Sequence, residues 1–326
     1  MTALIEAHGL TKSFGTLKAV DGISLTVPRG QVLGFLGPNG AGKSTTMRLI
    51  TGFLEPDAGS VCVAGFDMLT EAKQAKQKLG YLPEGAPLYA EMTPRGLLAF
   101  VAELRGLGGK ALAGAVGTAV ERTGLGPVLD QTIETLSKGY KRRVGIAQAI
   151  LHEPEVLIMD EPTDGLDPNQ KHHVRQLITE MAREKAIVVS THILEEVEAV
   201  CTRAVVINKG RIVADGTAEE LMRMVPYHGA VTIRVAGDKA EAVRDALAGL
   251  AGVKEIETVG VENGRLQLRA IPQNGPRNGA GIVTDVASAI RQKALAVDEI
   301  FVERGKLDDV FRQITSSDLD ERSTDA

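Results

Sequence analysis

Hydrophobic and polar positions follow three different rhythms along this chain. QVLGFL (31–36), EVLIMD (155–160) and AIVVS (186–190) are short runs dominated by apolar residues. Each leads through a loop into a stretch with helical spacing: the segment from Lys43, HHVRQLITEMAREK, and HILEEVEAV. Apolar runs that alternate with helices predict buried parallel strands in an α/β domain. LIEAHGLTKSFG and ISLTV alternate with period two instead, which predicts a half-exposed antiparallel sheet. Residues 91 to 151 carry few strand signals. PRGLLAFVAELRG, ALAGAVGTAVERTG and GYKRRVGIAQAILH have helical spacing, so an inserted helical subdomain is expected there.

The rhythm changes near Pro226. Beyond it come AVTIRVAG, a helical KAEAVRDALAGL, VKEIETVG, RLQLRAI, the loop PQNGPRNGAG, a helical IVTDVASAIRQKA, VDEIFVERG and LDDVFRQIT. The order strand, helix, strand, strand, helix, strand, helix suits a small ferredoxin-like α+β domain. The expected organisation is a large α/β domain over 1–224, a small α+β domain over 225–316 and a polar tail over 317–326. The 326 residues exceed what one hydrophobic core usually fills, which supports two domains. No internal repeat is visible.

Composition narrows the function. The hydrophobic share of 44% is ample for buried cores, so disorder over most of the chain is excluded. Lys plus Arg is 37 and Asp plus Glu 42, a net charge of −5. A nucleic-acid binder is usually basic, and aromatic residues are only 3%, so no nucleic-acid partner is expected. The two cysteines, Cys62 and Cys201, both in strand-like surroundings, are expected to be reduced, buried thiols. No apolar stretch approaches the ~20 residues of a membrane span. MTALIEAHGL has Glu6 and His8 where a signal peptide needs an apolar segment. Any membrane role is therefore expected to come through a partner.

The densest chemistry lies at GPNGAGKST: Gly37, Pro38, Asn39, Gly40, Ala41, Gly42, Lys43, Ser44 and Thr45. Gly37, Gly42, Lys43 and Ser44 meet the pattern G-x-x-x-x-G-K-[ST], after a predicted strand and at the start of a predicted helix. Glycines let successive N–H groups point into one concavity, and the helix N-terminus favours an anion. Lys43 would reach β- and γ-phosphates, and the Ser44 hydroxyl would ligate Mg²⁺. This loop alone leaves kinases, GTPases and motor-type ATPases open. The guanine motif N-K-x-D is not met, because NKGR (208–211) ends in Arg211.

EVLIMDEP ends its apolar run with Asp160 and Glu161. They would stand at the carboxyl edge of the sheet, where ligands bind in such folds. Asp160 can hold the Mg²⁺ shell, and Glu161 can act as general base toward water.

In order, the chain carries KSFG, GPNGAGKST, LGYLPE, LSKGYKRRVGIAQAI, LIMDEP, TDGLD and STH. Over residues 4 to 224 it resembles the nucleotide-binding subunits of ATP-binding cassette transporters. The resemblance implies a P-loop cassette with an antiparallel β subdomain and a helical subdomain, binding ATP and Mg²⁺ and hydrolysing ATP. It implies that Phe14 stacks on adenine, that His192 contacts the γ-phosphate, and that Asp164 and Asp167 lie at a dimer interface. LSKGY matches the signature that closes the site of a second subunit, so Ser137 and Gly139 would cradle the γ-phosphate held by the partner. Here Lys138 replaces a glycine and Tyr140 a glutamine. Glu84 stands where Gln is common; it would offer an oxygen to Mg²⁺ and begin the loop GAPLYAEMTPRG facing the membrane partner. At least two of Lys138, Lys141, Arg142 and Arg143 are expected on a solvated helix face.

LSKGY, LPE and LDDVF together resemble the exporter branch with ABC-2-type permeases, including gliding-motility-like and multidrug-like ATPase subunits. The expectation is a homodimer that powers such a transporter from the cytoplasmic face of the membrane. A soluble cassette ATPase of translation or DNA maintenance is the alternative. The single cassette, the absence of heptads and the acidic balance weigh against it.

Overall fold

The computed structural model describes residues 3–262, 264–273 and 280–320. Contacts divide the chain into two compact units, Met1–Thr217 and Ala218–Ala326.

The first unit runs β1 (Ala3–Phe14), β2 (Leu17–Pro28), β3 (Val32–Leu36), α1 (Lys43–Ile50), β4 (Ala58–Val63), β5 (Phe66–Asp67), α2 (Ala72–Gln77), β6 (Leu79–Leu82), α3 (Pro94–Leu104), α4 (Gly109–Thr123), α5 (Lys138–Ile150), β7 (Val156–Asp160), α6 (Pro168–Ala182), β8 (Ala186–Thr191), α7 (Leu194–Val200), β9 (Arg203–Asn208) and β10 (Arg211–Gly216). An antiparallel sheet has the order β2-β1-β4-β5. A six-stranded sheet has the order β10-β9-β3-β8-β7-β6, parallel from β9 to β6 with β10 antiparallel at one edge.

The apolar runs become the fully buried strands β3, β7 and β8. Strand alternation sends Val156 and Ile158 into one core, with α1 and the antiparallel sheet. Leu157 and Met159 enter the other, with α3 to α6. Burying each such side chain stabilises by about 1.5–3 kcal/mol, and both faces are used, as parallel sheets require. Residues 91 to 151 form the helical block α3, α4 and α5, as the spacing predicts.

The second unit runs α8 (Ala218–Met222), β11 (Val231–Ala236), α9 (Ala240–Ala248), β12 (Val253–Glu262), β13 (Arg265–Pro272), α10 (Ala280–Gln292), β14 (Glu299–Val302) and α11 (Leu307–Asp320). Its antiparallel sheet has the order β12-β13-β11-β14, the ferredoxin-like arrangement. Ile233, Val235 and Leu268 pack there with Val243 and Leu247 of α9 and Val286 of α10.

Three local expectations change. The compact units meet before α8, which the sequence reading placed in the large domain. α11 continues to Asp320, into the expected polar tail, while 321–326 and the loop residues 274–279 lie outside the described residues. Cys201 follows α7 as its C-cap rather than sitting in a strand, with burial pushing its thiol up to about 12; both cysteines are free. Among the described residues no helix is long and apolar enough to cross a membrane.

Candidate active site

The register of the parallel sheet gathers the chemistry at one edge. Leu36, which ends β3, pairs with Thr191 of β8. Asp160, which ends β7, pairs with Ser190, and Leu82, which ends β6, pairs with Met159. Four strand ends thus deliver the Gly37 loop, Glu84, Asp160–Glu161 and His192 to the same carboxyl edge.

The loop between β3 and α1 is packed too tightly for side chains at two points. Gly42 has φ of 106°, and a Cβ there would lie 2.4 Å from the Ala19 carbonyl oxygen. A Cβ on Gly37 would lie 2.5 Å from the Ile207 carbonyl oxygen. Lys43 opens α1 and is only 7% exposed. Its Nζ donates to the carbonyls of Gly37 at 2.7 Å and Pro38 at 3.2 Å. Burial lowers its pKa, while the carboxylates of Glu161, Asp160 and Glu84 oppose that shift.

A cleft of about 410 Å³ opens here, lined by Phe14, Leu17, Ala19, Asn39, Gly40, Gly42, Lys43, Ser44, Thr45, Glu84 and Glu161. Phe14, at the end of β1, is 49% exposed, so its ring is available to a planar group.

Asp160 is 1% exposed. Its Oδ1 accepts from the Ser190 hydroxyl, while Oδ2 is buried without a hydrogen-bond partner. A buried carboxylate oxygen left unpaired is costly, and a hard cation would relieve it. Among the described residues no cluster of three or more His, Cys, Asp or Glu forms a protein cage. The unpaired Asp160 Oδ2 and the Ser44 hydroxyl in the first turn of α1 are the donors that could hold Mg²⁺, with water and phosphate oxygens completing its shell.

Glu161 has φ of 52°, in the left-handed region. Its N–H donates to the Ser190 carbonyl at 3.2 Å and the Ser190 hydroxyl at 3.0 Å. Its carboxylate oxygens lie 2.9 and 2.8 Å from His192 Nδ1. A second cleft joins Glu84, Glu161 and His192 to Lys138, Lys141, Arg142 and Asp164.

Ser137 and Gly139 line neither cleft. Ser137 caps α5, its hydroxyl accepting from Tyr140 N–H at 3.3 Å. A Cβ on Gly139 would meet Gln170 Oε1 at 2.3 Å. Asp164 pairs with Lys138 at 2.8 Å, which holds its carboxyl below the usual range. Asp167 caps α6, accepting from Gln170 N–H at 2.9 Å.

The sequence reading missed three groups. Arg142 does not join the solvated basic face; it is 5% exposed and donates to backbone carbonyls. Its place on the stripe Gly139, Arg142, Ile146, Ala149 was the available signal. Ser190 supports both Asp160 and Glu161. Buried Glu196 accepts from the hydroxyls of Thr163 and Thr191, joining the segment after β7 to the last residue of β8. No spacing rule announces either.

The ABC transporter family profile matches residues 20–164. Linearmycin resistance ATP-binding protein LnrL of Bacillus subtilis is 35% identical over 254 residues, covering 78% of this chain and 81% of that protein. Daunorubicin resistance ATP-binding protein DrrA3 of Streptomyces coeruleorubidus is 34% identical over 316 residues, 96% of either chain. The chain belongs to the ABC transporter ATP-binding proteins. It is an ATPase of that family, and its P-loop cassette is the nucleotide-binding module. A Nod factor export ATP-binding protein I of Paraburkholderia xenovorans is 37% identical over 255 residues, covering 78% of this chain and 83% of that protein. Among solved structures, an ATP-binding subunit of an ABC transporter superposes with a TM-score of 0.63 at 31% identity, covering 68% of this chain and 92% of that one.

Proposed function

We propose that this ATPase powers an exporter through ABC-2-type permease subunits, from the cytoplasmic face of the membrane, as a head-to-tail pair of cassettes. The observation that carries this reading is a division within one chain. Lys43 and Glu161 line one cleft, Glu161 and His192 line a second, and Asp160 ends β7 at the same carboxyl edge, while Ser137 and Gly139, at the start of α5, line neither cleft. A complete site then takes its P-loop from one subunit and its signature from the other. The export direction rests on relatives named for drug resistance and Nod factor export.

In this site ATP lies with its adenine on Phe14 and its β- and γ-phosphates on the loop Gly37–Thr45. The backbone N–H groups and the N-terminus of α1 face the anion. Lys43 adds a cation whose burial strengthens its field. Bound Mg²⁺, held by Ser44 and Asp160, would neutralise phosphate charge. Glu161 takes the proton of the attacking water, and His192, hydrogen-bonded to its carboxylate, fixes its direction. Glu84, on the rim of both clefts, contributes an oxygen beside the water and links the site to the permease-facing loop. From the partner, Ser137 and the N–H groups behind Gly139 would close on the γ-phosphate. Asp164 and Asp167 lie on the segment between the two half-sites.

Purification of the tagged chain from detergent-solubilised membranes tests the partnership. A co-purifying integral-membrane permease is expected. Recovery with ribosomes or DNA instead would replace this reading by the soluble one.

A further inference from the structure

Arg142 lies on the buried stripe of α5, five residues beyond Ser137. Its guanidinium serves two segments at once. Nε donates to the Pro162 carbonyl at 3.3 Å, and Nη2 donates to the carbonyls of Asp160 and Glu161. Nη1 donates to the Pro83 carbonyl at 3.1 Å. Three consecutive carbonyls leaving β7 and one carbonyl leaving β6 therefore end on a single side chain.

Burying a guanidinium is expensive, and an apolar residue would fill the same space at lower cost. What an apolar residue cannot supply is a rigid fork of five donors. The fork matches the local need. Glu161 is held in the left-handed region, which a residue with a Cβ disfavours and surrounding contacts must enforce. The carbonyls of Asp160, Glu161 and Pro162 follow one another through that bend, and Arg142 donates to all three; the Glu161 carbonyl also accepts from Asp164 N–H at 3.1 Å. The fourth bond is to Pro83, the residue before Glu84. The helix that carries all these bonds is the one that opens with Ser137.

We infer that Arg142 is a positioning residue: it sets the backbone that aims Glu161 and ties the Glu84 segment to the signature helix. A movement of α5 when Ser137 engages a partner-bound phosphate would then be felt directly at Glu161 and Glu84 of the same chain. This inference rests on the reading of Glu161 as the base.

The test uses the full chain with Arg142→Lys, and Arg142→Gln as a second variant should the first fold poorly. Rates are normalised to the folded fraction by near-ultraviolet circular dichroism. An ammonium cannot reproduce the planar fork that donates to four carbonyls, so Glu161 is expected to drift. A misplacement on the order of 1 Å costs about 10²-fold in rate, so kcat should fall by roughly that factor while KM for ATP stays near wild type. In the Glu161→Gln background the same substitution should cost far less than in the wild type, because the group being aimed is gone and only the tie to the Glu84 segment is lost. Normal kcat per folded molecule, or a fall that simply multiplies with that of Glu161→Gln, would assign Arg142 a scaffold role and overturn the inference. Failure of the base reading is separately visible: Glu161→Gln alone would turn over at the wild-type rate.

Discussion

Replacing His192 by Ala isolates the pair that the sheet register builds at the end of β7 and β8. The substitution removes the Nδ1 contact to the Glu161 carboxylate, 2.8 Å in length, and leaves the Glu161 backbone bonds to Ser190 intact. A hydrogen bond to a charged group contributes about 1.5–3 kcal/mol. At about 1.36 kcal/mol per tenfold, that corresponds to a roughly 10- to 150-fold loss of kcat. The imidazole is 55% exposed and Glu161 only 15%, so water can partly replace the ring and the lower end is expected. Glu161→Gln should cost about 10²–10⁴-fold, because the amide keeps the shape but cannot take a proton. The assay is steady-state phosphate release by the two single variants and the double variant, with ATP binding measured alongside. If the ring acts by aiming the base, the double variant matches Glu161→Gln alone. An independent, multiplicative loss in the double variant would refute the dyad, as would full turnover by His192→Ala.

Lys43→Ala should weaken ATP binding and abolish turnover, since it removes the buried cation of the loop; substantial residual phosphate release would remove the P-loop assignment. Glu84→Gln keeps one oxygen and should hold turnover within about an order of magnitude, whereas Glu84→Ala should slow both basal and permease-stimulated rates. Silent behaviour of both variants would make Glu84 an ordinary loop carboxylate. Gly42→Ala places a Cβ 2.4 Å from the Ala19 carbonyl oxygen at φ of 106°. Strain of this kind costs about 1–3 kcal/mol, to be read as a lower urea midpoint, and an unchanged midpoint would contradict the tight packing.

Much of this molecule is legible in one dimension because its determinants are local. VLGFL, VLIMD and AIVVST need burial on both faces, and only the inside of a parallel sheet offers that. GPNGAGKST carries its own turn geometry. Even the ferredoxin-like order of the second unit follows from alternating rhythms alone. What escapes is whatever depends on which strand end meets which. Ser190 reads as an ordinary strand residue until the pairing of β7 with β8 puts it beside Asp160. Arg142 reads as one of several helix-surface cations until the stripe it shares with Gly139 turns toward Pro83 and the end of β7. Glu196 similarly gains meaning only when Thr163 and Thr191 converge on it. The structure lines one cleft with Phe14, Lys43, Glu84 and Glu161 and a second with Glu84, Glu161 and His192, whereas Lys138 pairs with Asp164 in a way no motif states.

The most direct test of a site shared between two chains is complementation in mixed dimers. Lys43→Ala lacks the loop cation but keeps Ser137; Ser137→Arg blocks the signature but keeps Lys43. Each alone should be inactive. In a dimer containing one of each, one of the two sites joins an intact loop to an intact signature. Phosphate release should therefore return in proportion to the mixed dimers formed, measured by differential tagging. Proven mixed dimers with no turnover, or full turnover by Ser137→Arg alone, would contradict the composite site.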